Sequence, residues 1–236
     1  MIPTKNEPMA DVRDMYLAHL MLRREFTLLP ALIRGVRAGD TRRAEVISAH
    51  AELLCRILHT HHEGEDVVLW PRLAERAGAE ATAIVPTMGA QHSVIEQANN
   101  RAATLLSSWR SSAQGGDSLA ELFEHLLGVL TQHTALEEEK ILPLAKKYLT
   151  ATERNELGSH GMKQFPKRYL PLTFGMMMYE GEPAAIKMIL AAARLPPRLL
   201  MPIVAPRVFA AHARRVHGTA SPRRVTHSQI SARRAQ

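Results

Sequence analysis

The chain has 236 residues, 46% of them hydrophobic but only 5% aromatic, and a formal net charge of +7. Its one cysteine, Cys55, excludes an internal disulfide and a thiolate metal cluster, and fits a reducing, cytoplasmic setting. The positive charge sits at one end: ten Lys/Arg and no Asp/Glu follow Glu182, so the first three quarters of the chain are slightly acidic.

An apolar mass made of Leu, Ala, Ile, Val and Met favours helix over sheet. The opening MIPTKNEPMADVRDM has no apolar run, so no signal peptide is expected. Residues 11–38 read as a first helix, with Met15, Leu17, Leu20, Leu22, Phe26, Leu29 and Ile33 at helical spacing and Pro30 inside it. Gly39 stops it, and Asp40 or Thr41 caps a second helix running to about Arg76, with Pro71 near its end. A third helix covers about 80–110. The Gly115–Gly116 loop follows, and a fourth helix spans about 119–148, with Pro143 near its end. Long helices joined by short connections predict an all-α, up-down-up-down four-helix bundle over residues 10–150.

The stretch TATERNELG reads as a capped helix start at Thr150 or Thr152. Helical pieces at 184–194 and 198–217 complete an extension, 151–217, packed on the bundle, with Met176–Met178 as core filler. Residues 218–236 form a basic, polar tail for which disorder is expected. The Arg-rich apolar segment 195–216 either docks on the bundle, the preferred reading, or lies on a membrane surface; nucleic acid is not expected. No uncharged apolar stretch reaches the roughly 18 residues that a spanning helix needs.

Chemistry is carried by an internal repeat. The first copy runs His61-x-x-x-Glu65-Asp66-x-x-Leu69-x-Pro71, and the second His133-x-x-x-Glu137-Glu138-x-x-Ile141-x-Pro143. His19 and His92 precede them at nearly equal separations. The chain therefore reads as two helical hairpins, each offering one His from its first helix and His-x-x-x-Glu from its second. Residues i and i+4 share a helix face, so an imidazole and a carboxylate can converge on one ion or on two adjacent ions. A single such step is usually a surface pair. Two matched copies set a two-metal site against a merely polar bundle core, which would bury four imidazoles without partners. Imidazole with carboxylate suits iron, manganese or zinc.

The segments AHLMLRREF, LHTHHEGEDVVLWPRL, QHSVIEQ and LTQHTALEEEKILPL resemble hemerythrin-like proteins of the HHE cation-binding type over about residues 10–150. LPPRLLMPIVAPRVFAAHARRVHG is similar to the C-terminal extension of some bacterial members. The resemblance implies two non-haem irons with carboxylate and oxo or hydroxo bridges, manganese or zinc being the other candidates. It also implies a small oxidant as partner: oxygen, nitric oxide or peroxide. His19 and His61 would hold one iron, His92 and His133 the other, and Glu65 and Glu137 would bridge.

Two features depart from the oxygen-carrying members: Glu96 stands four residues after His92, where they place a second His, and the step from His133 ends at Glu137, where they use a longer step to a final Asp. Two roles stay open for Glu96, an extra ligand or a solvated carboxylate; as a ligand it would favour ferric iron over reversible oxygen carriage. Two also stay open for His62, ligand or support behind the ligands. His50, His59 and His125 read as surface or supporting residues, Arg23, Arg24 and Glu25 as surface pairs, and Cys55 as a small apolar group. Tyr16 reads as core packing or as a hydrogen-bond donor to a bridge. No catalytic acid or base outside the ligands can be named. The expected function is turnover of a small oxidant, and the alternative is a non-enzymatic oxygen, nitric oxide or iron sensor or binder.

Overall fold

The computed structural model describes residues 7–193 and 195–224, and every regular element among them is a helix. Helix α1 spans Arg13–Arg34, with Asp14 in its first turn and Arg34 in its last, each charge matched to the helix dipole. It runs through Pro30 and ends before residue 38. Gly39, at φ +83°, turns the chain in the left-handed region, and Asp40 accepts the Arg43 N–H at 2.9 Å to cap α2, Thr41–Gly64.

The expected second helix is not continuous. A π turn, Glu65–Leu69, joins α2 to α3, Trp70–Ala77. After α4 (Ala79–Thr82) and α5 (Val85–Ser112) comes α6, Gly116–Leu136, which another π turn, Glu137–Ile141, joins to α7, Leu142–Tyr148. The cause lies in the repeat. Pro71 and Pro143 occupy the first turns of α3 and α7, where a proline has no N–H to give and its ring strikes the carbonyl four residues back. The wider turn absorbs this: the Trp70 N–H reaches Glu65 O, and the Leu142 N–H reaches Glu137 O.

Helix α1 contacts α2 and α6, and α5 contacts the same two, closing a ring. Leu22, Phe26, Leu54, Leu58, Phe123 and Leu130 fill its interior with no exposure to solvent. Met9 pairs with Thr150 in an isolated bridge, and Thr150 caps α8, Ala151–Gln164, in a reciprocal capping box with Glu153. A 3-10 turn, Lys167–Tyr169, leads to α9 (Leu170–Glu180), α10 (Pro183–Ala192) and α11 (Leu195–His217). Helix α9 lies along α11, with α9 touching α1 and α11 touching α2.

Only the second half of α11 is covered. Ala205, Phe209, Ala213 and Val216 are buried, while Leu195, Leu199, Leu200 and Ile203 are more than half exposed. The tail expected over 218–236 lies outside the described residues from 225 onward. No helix among the described residues is long and apolar enough to cross a membrane.

Arg23, Arg24 and Glu25 depart from the expectation of surface pairs, since all three are buried. Each has a charged partner: Arg23 Nη1 donates to Glu138 Oε1 at 2.7 Å, and Arg24 pairs with both Glu25 and Glu180, its Nε lying 2.9 Å from Glu180 Oε1. Glu180 ends α9, so the extension supplies a counter-charge that helical spacing in α1 cannot reveal. His50 is buried as well, whereas Tyr16 is 41% exposed, with its hydroxyl 3.5 Å from the Glu138 carbonyl oxygen. Cys55 packs against the core, and burial pushes its thiol up to about 12.

Candidate metal centre

Four helices aim imidazoles at one buried region: His19 from α1, His61 and His62 from α2, His92 from α5 and His133 from α6. The carboxylates come from the first residue of each π turn, Glu65 and Glu137, both wholly buried. These side chains form two groups, each with ligand atoms within 4.8 Å of one another. One is His19, His61, Glu65 and Glu137; the other is His62, Glu65, His92 and His133. Glu65 belongs to both.

The distances follow the repeat. His19 Nε2 lies 3.1 Å from Glu137 Oε2 and 3.1 Å from His61 Nε2. In the matching place, His92 Nε2 lies 3.3 Å from Glu65 Oε2 and 3.3 Å from His133 Nε2. Within the His-x-x-x-Glu steps, His61 Nε2 is 3.0 Å from Glu65 Oε1 and His133 Nε2 is 3.8 Å from Glu137 Oε2. Each repeat therefore points its Nε2 atoms inward.

Outward-facing Nδ1 atoms are held from behind. His19 Nδ1 donates to Glu138 Oε1 at 3.0 Å, His92 Nδ1 to Asp66 Oδ1 at 2.8 Å, and His133 Nδ1 to Gln91 Oε1 at 3.2 Å. A carboxylate can only accept, so a proton sits on the Nδ1 of His19 and of His92, and each ring turns its Nε2 toward the interior. The supports are braced in turn: Arg23 binds Glu138 and also donates to Thr134 Oγ1 at 2.8 Å, while Trp70 Nε1 donates to Asp66 Oδ1 at 2.9 Å. The supports cross between halves. Asp66 of the first repeat holds His92 of the second hairpin, and Glu138 of the second holds His19 of the first. The shared acid one place after each Glu was the available trace of these two residues, but the crossing needs the fold.

His62 joins the cluster. Its ring stacks on His92 at 4.0 Å between centroids and 13° between planes, and meets His133 edge-on. Glu96 does not join it. It is 44% exposed and pairs with His59 Nδ1 at 3.0 Å. A third imidazole thus stands beside His92 and His133, supplied by His62 on the neighbouring helix. The second repeat has Thr134 where the first has His62, so the two groups are unequal, with three imidazoles against two.

Buried polar atoms here lack the hydrogen bonds that such atoms require. Both oxygens of Glu65, both of Glu137, and His62 Nε2 have no aligned hydrogen-bond partner among the described residues. Burial, with Glu137 beside it, holds the Glu65 carboxyl well above its ordinary range. Burial and neighbouring imidazoles push His61 down to about 3 and His133 down to about 2. His19 alone goes up, to about 9, because Glu137 and Glu138 outweigh its burial. His19 and Glu65 hold protons that a cation would displace, the other inward atoms offer lone pairs, and cations in the interior would satisfy them. The residues present fit a metal pair.

No curated protein and no solved structure matches the chain. The family model described as the hemerythrin HHE cation binding domain matches residues 10–145. With that match, the repeat and the inward His/Glu cluster, the chain belongs to the hemerythrin HHE cation-binding family.

Proposed function

We propose that this protein holds two non-haem iron ions and turns over a small oxidant, peroxide, nitric oxide or oxygen, at that centre. The observation that carries the reading is the sharing of Glu65 between two four-residue groups, which would let its carboxylate serve both ions. The scaffold is an up-down-up-down four-helix bundle formed by α1, α2, α5 and α6. His19 and His61 would hold one ion, His62, His92 and His133 the other, with Glu137 as a further bridge. Glu96 stays outside this set, so the preference for ferric iron expected from it as a ligand lapses. Borderline imidazole and hard carboxylate donors suit iron, and manganese or zinc would use the same atoms.

When bound, the iron pair supplies electrons and Lewis acidity. The chain's own residues do the rest. Unequal imidazole counts leave the His19/His61 side with more room for an incoming molecule. Asp66 and Glu138 fix the His92 and His19 rings. Burial of six of the seven donor residues leaves the His61 side chain, at 13% exposure, as the most open part of the centre, a route suited to diatomic-sized molecules and peroxide.

Metal analysis with an optical spectrum tests the core of this reading. Two irons per chain and near-ultraviolet ligand-to-metal charge-transfer absorption are expected, together with peroxide or nitric oxide consumption by the iron-loaded protein. Zinc alone, or no metal, would overturn it. The second reading is a sensor or iron binder. One observation favours it: the Tyr16 hydroxyl faces the Glu138 backbone carbonyl, not the cluster, and so offers no proton there. Iron-loaded protein that consumes neither oxidant would select that reading.

A further inference from the structure

A second, separate set of donors lies between the bundle and the C-terminal extension. Glu25 of α1, His50 of α2 and His217 at the end of α11 bring one ligand atom each within 4.8 Å of the others. The side chains of Glu25 and His50 are wholly buried, and that of His217 is 6% exposed. Glu25 Oε2 lies 3.3 Å from His50 Nε2 and 3.7 Å from His217 Nε2. None of these three atoms has an aligned hydrogen-bond partner among the described residues. Close approach without alignment is the arrangement of donors aimed at a common point off the lines joining them. Two donors about 2.0–2.2 Å from a tetrahedral ion sit roughly 3.3–3.6 Å apart, close to the spacing here. The same orphaned, converging atoms mark the Glu65/Glu137 centre.

The surroundings agree. His50 Nδ1 is 3.1 Å from His212 Nε2, so donation from Nδ1 to His212 leaves the His50 Nε2 lone pair free, as in metal-ligating histidines. Arg24 is shared by two carboxylates, Glu25 and Glu180. Arg43 of α2 donates to the Arg215 and Val216 carbonyls, fixing the end of α11 that presents His217.

We propose that Glu25, His50 and His217 form a third, mononuclear site for a divalent transition-metal ion that fastens the C-terminal helix to the bundle. Two imidazoles and one carboxylate suit zinc or ferrous iron, with one position left for water. The ion joins α11 to α1 and α2, which lie far from it in sequence, so its binding energy holds the extension in place.

The test uses the full-length chain saturated with Zn²⁺ and desalted. Three zinc ions per chain are expected, one for each donor group. His217→Ala should hold two with unchanged circular dichroism, and the double substitution Glu65→Ala/Glu137→Ala should still hold the third. Crystals of the unaltered protein, with diffraction recorded at the zinc edge, should show an anomalous peak between Glu25, His50 and His217. This readout needs no variant to fold. No peak there, or the same zinc count in the parent and His217→Ala, would overturn the proposal and leave the cluster as an imidazolium–carboxylate pair. Neither readout depends on oxidant turnover.

Discussion

At the scale of single residues, the centre is governed by which nitrogen of each histidine carries the proton. Glu138 and Asp66 keep the His19 and His92 protons on Nδ1, leaving both Nε2 atoms as donors. Glu138→Gln and Asp66→Asn keep the shape but allow an amide N–H to face the ring, which favours the wrong tautomer. Each is expected to weaken metal retention about 10–100-fold, measured by competition with a chelator. A different ionic contact gives a pH-dependent prediction. Arg76 holds the Glu153 carboxyl down to about 2, chiefly through their hydrogen bonds. A carboxyl lowered in the folded state adds stability above its unfolded value of about 4.3, and the gain is lost as pH falls through about 2. Glutamine can also serve in a capping box, so Glu153→Gln removes the charge and not the cap. Its melting temperature should fall below the parent's at pH 7, and the gap should close between pH 5 and pH 2.

At the scale of elements, the two π turns and the α9–α11 contact decide the geometry. Each π turn starts on a buried Glu and ends two residues before the proline that requires it, so one feature of the sequence both breaks the helix and re-aims the carboxylate. The α9–α11 contact depends on Gly175. A Cβ there would overlap the Ala205 carbonyl oxygen and come within 2.8 Å of Phe209 Cβ. Gly175→Ala should force the two helices apart and cost about 1–3 kcal/mol, seen as a lower denaturation midpoint. By contrast, Ile203→Ser on the exposed half of α11 should change stability by less than about 0.5 kcal/mol in the same measurement.

At the scale of the whole molecule, one cluster draws its side chains from four helices, from His19 to Glu137. Metal that binds only the folded chain stabilises it by about 4 kcal/mol at a thousandfold excess over Kd. Chelation should therefore lower the melting temperature by on the order of 10 °C for a chain of this size, measured by calorimetry. The helical character, the repeat and the six side chains that converge, His19, His61, Glu65, His92, His133 and Glu137, were legible in the sequence. Helical periodicity is local, and an i, i+4 pair shares a face in any surroundings. The π turns were not legible, because a proline near a helix end permits several local solutions and packing chooses among them. His62 and Glu96 each sat at a plausible helical offset, and only the ring stacking on His92 and the exposed pair with His59 separated them. Arg24 and Glu25 read as surface residues, and His50 as a surface or supporting one, because their partners Glu180 and His217 lie more than 150 residues further along the chain. The sequence by itself determined which side chains each helix offers, since that depends on neighbours in the chain. Only the tertiary structure decided which charges are buried and which histidines meet, because those depend on contacts between distant segments.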